Sequence, residues 1–512
     1  MPVKTFASAV YGIEAITITI EVNISSGLKY HIVGLPDNAV KESLLRVETA
    51  INTSKYRMPR QRIIVNLAPA DIRKEGSAFD LAIAIGILAG SGQVQPEKLD
   101  QYLIMGEVSL DGGLQPIKGA LPIAIQARKE GFKGLLLPKA NAREAAIVSN
   151  FEVYGLETLL DVISFFNGYQ TFEPTLVDTR EEFQINISKY DNDFSDVKGQ
   201  ENIKRALEIA ASGGHNVILI GPPGAGKTML AKRLPTILPP LNLFEALDTT
   251  KIHSVAGKLA ASDSLMTVRP FRSPHHTISD VALVGGGTNP QPGEISLAHN
   301  GVLFLDELPE FKRSVLEVMR QPLEERRVTI SRAKSTVNYP ASFMLVASMN
   351  PCPCGFYNHP EKECICPPGM VQKYLSKISG PLLDRIDLHV EVTPVNFTEL
   401  ASDRLAEKSD HIRERVVQAR DIQVKRFEDK TDVFCNSQMS PQSVRDICRI
   451  DEAGQLLLKK AMEKLGLSAR AYDRILKVAR TIADLAGSDD IQLEHLAEAI
   501  NYRSLDREGW AG

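Results

Sequence analysis

The chain has 512 residues, of which 43% are apolar and 24% are charged, and its formal net charge at pH 7 is −4. A chain of this length is too long for one hydrophobic core, so it predicts a globular protein of several domains. The slightly acidic balance excludes a protein that coats nucleic acid over its whole surface, but it is compatible with a local basic pore or groove.

The cellular location is predicted from the N-terminus, the apolar runs and the cysteines. The first 22 residues end in an alternating run, Thr17 to Val22, which is typical of a strand and unlike a signal peptide. No uninterrupted apolar run is long enough to cross a bilayer. Four of the six cysteines lie between positions 352 and 366, which favours a reducing compartment over a disulfide framework. The sequence therefore predicts a cytoplasmic protein without a membrane partner.

Residues 1–170 are predicted to form a separate α/β domain, because strand-like runs alternate with helical patterns at 41–53, 78–89 and 119–130. The segment around Ser77 and the run Gly106-Glu107-Val108 resemble the proteolytic domain of Lon, which has the ribosomal S5 domain 2-like fold. In that family the serine is the nucleophile, and its lysine partner is expected near Leu121, which cannot act as a base. The resemblance therefore implies a Lon-like domain without peptidase activity, in which Ser77 caps the following helix.

Residues 171–193 are charged and aperiodic, which predicts a linker, and a second α/β domain is predicted at 194–394. Its apolar run 216–220 leads into Gly-Pro-Pro-Gly-Ala-Gly-Lys-Thr and then into a helical pattern, which is a P-loop in its expected context. Lys227 is predicted to neutralise the β- and γ-phosphates of ATP, and the hydroxyl of Thr228 to bind Mg²⁺. The predicted nucleotide contacts are Gly221, Pro222, Pro223, Gly224, Ala225, Gly226, Lys227, Thr228 and Met229.

A second chemical motif lies at 301–307, where an apolar run ends in Asp306 and Glu307. Such a run predicts a buried parallel strand that carries two carboxylates to its C-terminal edge. Asp306 is predicted to hold the Mg²⁺ shell, and Glu307 to orient and polarise the attacking water. A further core strand at 343–347 leads to Asn350, which is predicted either to sense the γ-phosphate or to be a turn residue before a proline.

Residues 314–325 are predicted as one helix, and residues 327–339 read as two short strands around a basic tip, which predicts a hairpin. The tip cations Arg332 and Lys334 are candidate contacts to a DNA backbone. Arg269 and Arg272, from a long insertion, are expected to lie nearby. The alternative is that Arg332 and Lys334 are simply solvent-exposed at the hairpin tip and contact no DNA.

The cysteines form two Cys-x-Cys pairs around a short loop, and four thiolates at paired spacing can close a tetrahedral Zn²⁺ site. Free thiols are the alternative, because the pairs are tighter than the usual Cys-x₂-Cys. The pair His275-His276, in contrast, is interpreted as hydrogen-bonded or solvent-facing. The predicted zinc ligands are Cys352, Cys354, Cys364 and Cys366.

Residues 395–512 are largely helical and charged, and they are predicted to form a helical lid behind the nucleotide-binding core. The order of P-loop, carboxylate strand, hairpin, Asn350, Leu-Leu-Asp-Arg-Ile-Asp at 382–387 and Ser-Ala-Arg at 468–470 resembles an AAA+ ATPase of the magnesium-chelatase and MCM branch. With the Lon-like domain in front and the cysteine-rich loop behind Asn350, the whole chain resembles the ComM/YifB family of magnesium-chelatase-like proteins.

The resemblance implies roles for three polar residues. Asn350 would be sensor 1, Arg385 an arginine finger that reaches a neighbouring subunit's ATP, and Arg470 sensor 2 in the lid. A finger supplied in trans implies a head-to-tail ring, which in this family is a homo-hexamer. The residues alone allow a salt bridge of Arg385 with Asp384 or Asp387, and a solvated helix-start arginine at position 470.

The activity that the resemblance implies is ATP-driven translocation on single-stranded or branched DNA, with branch migration or helicase activity in the recombination of transforming DNA. DNA and recombination proteins are the implied partners. An alternative is a remodeller that acts, like the chelatase subunit, on a partner protein without DNA. A third interpretation, an ATP-dependent peptidase, is disfavoured by Leu121.

Overall fold

The computed structural model describes residues 2–178, 183, 190, 192–260, 263–287, 290–332, 335–357, 359, 361–367, 369–395, 406–430 and 433–503. Buried apolar side chains in these residues form three clusters. One belongs to an N-terminal sheet, and the other two cover the opposite faces of a second sheet. None of the helices described is both long and apolar enough to cross a membrane.

The N-terminal part is built on a seven-stranded mixed sheet. Its strands are β1 (Val3–Tyr11), β2 (Glu14–Ser25), β3 (Tyr30–Val33), β4 (Arg62–Ala68), β5 (Tyr102–Ile104), β6 (Glu107–Val108), β7 (Leu114–Gln115), β8 (Gly134–Pro138) and β9 (Glu152–Leu156). The strand order in the sheet is β3-β4-β2-β1-β5-β8-β9, in which β2 pairs antiparallel with β1 and β4, and the other neighbours pair in parallel. The helices are α1 (Asn38–Thr53), α2 (Asp80–Gly90), α3 (Ala120–Lys129), α4 (Lys139–Ala145) and α5 (Leu159–Asn167).

The central part is a five-stranded parallel sheet with a separate two-stranded hairpin. Its strands are β10 (Val217–Ile220), β11 (Phe271–Arg272), β12 (Gly285–Gly286), β13 (Gln291–Pro292), β14 (Val302–Leu305), β15 (Arg327–Arg332), β16 (Ser335–Pro340), β17 (Met344–Met349) and β18 (Leu388–Glu391). The order in the parallel sheet is β11-β14-β17-β10-β18, and β15 and β16 form the hairpin. Its helices are α6 (Glu201–Gly213), α7 (Lys227–Arg233), α8 (Leu243–Ala256), α9 (Asp280–Val284), α10 (Glu294–Leu297), α11 (Arg313–Glu317), α12 (Arg320–Glu325), α13 (Met370–Leu375) and α14 (Gly380–Leu383).

The C-terminal part is helical, as predicted, and packs on one face of the central sheet. Successive residues of a strand point to opposite faces, so Leu219 of β10 joins the cluster shared with the C-terminal helices and Ile218 joins the cluster shared with the hairpin. The C-terminal helices are α15 (Ser409–Arg426), α16 (Pro441–Ile447), α17 (Glu452–Leu465), α18 (Ala469–Leu485) and α19 (Leu493–Asn501).

Two local predictions were wrong. Residues 314–325 form two short helices, α11 and α12, because Pro322 has no N–H and its ring would clash with the carbonyl of residue 318 in a continuous helix. Ser77 does not cap α2, whose N-cap is Phe79, and its hydroxyl instead donates to the carboxylate of Glu107. The predicted linker lies partly outside the described residues.

Candidate functional site

The P-loop connects β10 to α7 and is closed over the ammonium group of Lys227. Gly224 and Gly226 adopt φ of +79° and +84°, in the left-handed region that favours glycine. The Lys227 Nζ donates to the carbonyl oxygens of Gly221 at 2.6 Å and Pro222 at 2.9 Å, and to Asn350 Oδ1 at 3.1 Å. The loop, the lysine and the end of β17 therefore form one hydrogen-bonded unit.

Asp306 follows β14 and faces the start of α7. Its Oδ2 accepts from the hydroxyl of Thr228 at 2.8 Å, and its Oδ1 accepts from the hydroxyl of Ser348. A hydroxyl and a carboxylate in contact beside a phosphate loop are the pair that holds Mg²⁺ in P-loop proteins, so these side chains fit that ion. Ser348 was not found from the sequence, and its position becomes apparent only because β17 pairs with β14.

Glu307 is held in an unusual backbone conformation. Its φ is +55°, which residues other than glycine seldom adopt and which surrounding contacts must maintain. Its carboxylate lies 3.7 Å from Nδ1 of His276. The ring centroid of His276 lies 4.0 Å from that of His275, and the two ring planes are inclined by 34°. His275 is hydrogen-bonded to Thr277, in agreement with the prediction for the histidine pair. The contact of His276 with Glu307 was not predicted.

The P-loop residues 223–228, Asp306, Glu307, Ser348 and Asn350 line one cleft of about 400 Å³. Burial lowers the pKa of Lys227 from its usual value, and the charges of Asp306 and Glu307 oppose that shift. A cleft with one buried cation and two carboxylates at its edge is suited to a phosphate chain that carries a divalent cation. The lining residues are Pro223, Gly224, Ala225, Gly226, Lys227, Thr228, Met229, Asp306, Glu307, Ser348, Met349 and Asn350.

The four predicted cysteine ligands come together directly behind Asn350. Their sulfur atoms all lie within 4.8 Å of one another, and the separations from Cys352 to Cys354 and to Cys364 are 3.3 and 3.7 Å. Tetrahedral zinc with Zn–S bonds of about 2.3 Å places its sulfur ligands about 3.8 Å apart, so the cluster fits this ion. The same loop touches the P-loop, since a Cβ on Gly355 would lie 2.5 Å from Cδ of Pro223.

Comparison with known proteins identifies the family. The family model described as magnesium chelatase, subunit ChlI, matches residues 193–400, the model for subunit ChlI of Mg-chelatase matches residues 20–141, and the ChlI C-terminal model matches residues 406–503. The competence protein ComM of Haemophilus influenzae is 46% identical over 506 residues, which cover 98% of this chain and 97% of ComM. The chain belongs to the ComM/YifB family of magnesium-chelatase-like AAA+ proteins.

Two further relatives agree with this family and fold. The YifB protein of Escherichia coli is 44% identical over 504 residues, which cover 98% of this chain and 96% of YifB. Lon protease 2 of Bacillus subtilis is 32% identical over 154 residues, which cover 27% of this chain and 26% of the protease. The chain is therefore an AAA+ protein with Lon-like, P-loop and C-terminal helical parts, and its family implies the use of a nucleotide and Mg²⁺.

The two arginines that the family resemblance singled out lie outside the cleft of their own chain. Arg385 is only 6% exposed, and its guanidinium donates to the carboxylate of Glu324 and to the carbonyl of Pro381. The alternative partners from the sequence were wrong, because Asp387 binds other groups and Asp384 lies 3.5 Å from Arg470 instead. The Arg470 side chain is 64% exposed.

Arg269 and Arg272, which were expected to lie near the hairpin tip, are both hydrogen-bonded to neighbouring elements. Arg269 donates to the carbonyl of Asn300 at 2.7 Å and to Glu245 at 3.1 Å, and Arg272 forms two hydrogen bonds with Glu294 at 2.6 and 2.7 Å. Both arginines therefore attach their segment to neighbouring elements. A sequence pattern does not reveal such partners, because they lie on other elements of the fold.

The hairpin itself is present, and β15 and β16 pair from Arg327 opposite Pro340 to Arg332 opposite Ser335. The side chain of Arg332 and the whole of Lys334 lie outside the described residues. The position of Leu121 is described, and this residue is fully buried in the N-terminal cluster. No base is therefore present at the position that the Lon resemblance requires.

Proposed function

We propose that this protein is a homo-hexameric ring ATPase of the cytoplasm that couples ATP hydrolysis to movement on single-stranded or branched DNA, in branch migration during recombination of transforming DNA. The observation that carries the proposal is the cleft in which Lys227, the Thr228–Asp306 pair and Glu307 meet. The resemblance of the whole chain to a competence protein supports the choice of DNA as substrate.

The proposed reaction uses the groups of the cleft in fixed roles. A water oxygen oriented by Glu307 attacks the γ-phosphorus, the bond to the β–γ bridging oxygen breaks, and ADP and phosphate are released. Thr228 and Asp306 would hold Mg²⁺, which supplies charge neutralisation at the phosphates. Lys227 neutralises the β- and γ-phosphates, and Asn350, which is hydrogen-bonded to Lys227, senses the γ-phosphate.

A ring is proposed because Lys227 is the one lysine or arginine among the described residues that line the cleft. Neither Arg385 nor Arg470 lines the cleft, so a guanidinium that stabilises the transition state would come from a neighbouring copy. Contacts of this head-to-tail kind close into a ring when the rotation between copies allows it. In this assembly Arg385 must leave Glu324 to reach the neighbour's phosphates.

Two other parts of the chain have proposed roles. Arg332 and Lys334 at the hairpin tip would grip the phosphate backbone of DNA in the pore. The four cysteines would hold a structural Zn²⁺, which fixes the loop behind Asn350. Loss of bound zinc in a Cys352→Ser plus Cys364→Ser variant is expected, and stoichiometric zinc in that variant would contradict the assignment.

The test is ATP turnover with and without forked or single-stranded DNA, together with a mass measurement in saturating ATP. We expect stimulation by DNA that is lost in Arg332→Ala plus Lys334→Ala and retained in Arg128→Ala plus Lys129→Ala, a control that removes the same charge from the exposed end of α3. Arg385→Ala is expected to abolish turnover. A monomer that hydrolyses ATP at the normal rate would refute the proposed ring.

The alternative function is that of a remodeller acting on a partner protein, and the matches to chelatase subunit models favour it. The same assay separates the two functions, because a remodeller forms the same ATP-dependent ring but its ATP turnover does not respond to DNA. Turnover of a ring that is unchanged at every DNA concentration would therefore favour the remodeller over the DNA motor.

A further inference from the structure

The Lon-like part has a buried leucine, Leu121, where the lysine of Lon is expected. Its described residues contact the ATPase core in two separate places. The first contact joins α3 and α4 to α8, the second helix after the P-loop. The backbone N–H of Gly119 donates to the carbonyl of Ser254 at 3.2 Å, and the hydroxyl of Ser254 donates to the buried carboxylate of Glu144. Glu144 also accepts from the backbone N–H of Leu121 at 2.9 Å. The position at which a Lon-type lysine is expected is therefore part of a contact between domains.

This first contact is apolar as well as polar. Leu241, Ala246 and Leu265 belong to the ATPase core by sequence, but they are buried in the hydrophobic cluster of the N-terminal sheet. Shared burial of this kind resists relative rotation of the two parts, because any movement would expose apolar surface. The N-terminal part is thus firmly attached to the ATPase core.

The second contact places the β1–β2 turn on the hairpin strand β16. The hydroxyl of Tyr11 donates to the carbonyl of Thr336 at 3.4 Å. A Cβ on Gly12 would lie 2.9 Å from Cγ1 of Val337, and Ile13 packs against the hydrophobic cluster to which Val337 belongs. Thr336 pairs with the residue just before Arg332, so the turn touches the half of the hairpin nearest its tip.

The hairpin needs such support because it pairs with no other strand among the described residues. An isolated two-stranded hairpin is marginally stable, and its position is set by whatever packs against it. The apolar face of β15-β16 rests on the ATPase core through Val328, Ile330 and Tyr339, whereas the N-terminal turn covers Val337.

We infer that the N-terminal Lon-like part is a brace that fixes the β15–β16 hairpin relative to the nucleotide cleft, anchored on α8 and pressing on β16 through Tyr11, Gly12 and Ile13. The structural half of this inference is independent of DNA. The functional half rests on the proposed function, because it requires the hairpin to engage DNA. Loosening the turn is then expected to weaken the response of ATP turnover to DNA and to leave basal turnover unchanged.

The test compares two double variants of the full-length protein. Tyr11→Ala plus Ile13→Ser removes the contact, and Tyr169→Ala plus Leu28→Ser makes comparable changes at side chains that are 73% and 81% exposed on the same domain. Hydrogen–deuterium exchange of the backbone amides of β16 is measured, with β14 as the internal reference. We expect exchange in β16 to become about tenfold faster in the first variant only. Unchanged exchange in β16 would overturn the brace.

A single substitution provides a second, milder perturbation. Gly12→Ala places a methyl group against Val337 at a residue with φ of +65°, whereas Gly168→Ala has the same strain, with φ of +70°, and no atom within 4 Å of its new Cβ. Faster exchange in β16 with Gly12→Ala but not with Gly168→Ala supports the brace. Equal exchange in both variants would count against it.

DNA-dependent turnover then separates this inference from the proposed function. If exchange in β16 rises but the wild-type protein does not respond to DNA, the brace stands and the DNA motor fails. If the wild type responds and the Tyr11→Ala plus Ile13→Ser variant responds equally at every DNA concentration, the functional role of the brace is overturned. A reduced response with normal basal turnover supports both.

Discussion

Replacing Gly355 by alanine tests whether the cysteine loop supports the P-loop. The new Cβ would lie 2.5 Å from Cδ and 3.2 Å from Cγ of Pro223, whereas ordinary contact begins at 3.4 Å, so one of the two loops must move. Gly355 also has φ of +85°, a conformation that costs a residue with a Cβ about 1–2 kcal/mol. Overpacking of this kind costs a further ~1–3 kcal/mol.

The free-energy cost of this overpacking is expected to weaken nucleotide binding, because Pro223 belongs to the loop that lines the cleft. If the P-loop yields, ~1–3 kcal/mol corresponds to a loss of affinity of about five- to 150-fold. The assay is a titration with a fluorescent ATP analogue, with zinc content measured on the same samples.

Gly369→Ala is the matched control for this prediction. Gly369 has φ of +77° and no atom within 4 Å of the Cβ that alanine would add, so it shares the backbone strain without the collision. A difference between the two variants therefore reports the contact with Pro223 alone. Equal affinities in Gly355→Ala and Gly369→Ala would refute the coupling of the cysteine loop to the nucleotide site.

Three further predictions concern charge. Glu324→Gln weakens the ion pair that holds Arg385, and ~1 kcal/mol of lost pairing should raise steady-state ATP turnover about fivefold. An unchanged rate would count against the need for Arg385 to leave Glu324. Burial lowers the pKa of His299 to about 4, so below pH 6.5 the unfolded state binds more protons at this residue than the folded state does. The free energy of unfolding should therefore fall by up to ~3 kcal/mol from pH 7 to 4 in denaturant titrations. His299→Asn should remove this pH dependence. Burial by itself would raise the pKa of Asp387, but its partners Arg474 and His215 hold that pKa well below the usual range. Asp387→Asn should therefore lower the free energy of unfolding by ~3–5 kcal/mol in the same titrations.

The parts of the site that were predictable are those whose chemistry is local in sequence. The P-loop sequence motif determines where Lys227 and Thr228 lie. The apolar strand that ends in Asp306 and Glu307 determines the sheet edge at which these four residues meet. Parallel strands carry their C-terminal ends to the same edge, so the cleft follows from these runs. The order of the strands then brings Asn350 to the same place.

The parts that were missed depend on neighbours distant in sequence. Ser348 contacts Asp306 only because β17 pairs with β14, and His276 reaches Glu307 from a loop whose path no periodic pattern describes. The partner of Arg385 was also missed, because Glu324 belongs to a helix whose own limits were misjudged. In each case a side chain finds its partner through tertiary packing, which local propensity does not determine.

The ATPase core contributes apolar side chains to the N-terminal cluster, so the two parts cannot be separated into independent fragments without exposing this core. Cutting the chain near residue 193 would leave Leu241, Ala246 and Leu265 uncovered on one fragment and an open cavity on the other. Each fragment would then expose an apolar patch, which promotes self-association. Deletion of the N-terminal part is therefore a poor way to ask what it does, and point changes at its contacts are the informative route.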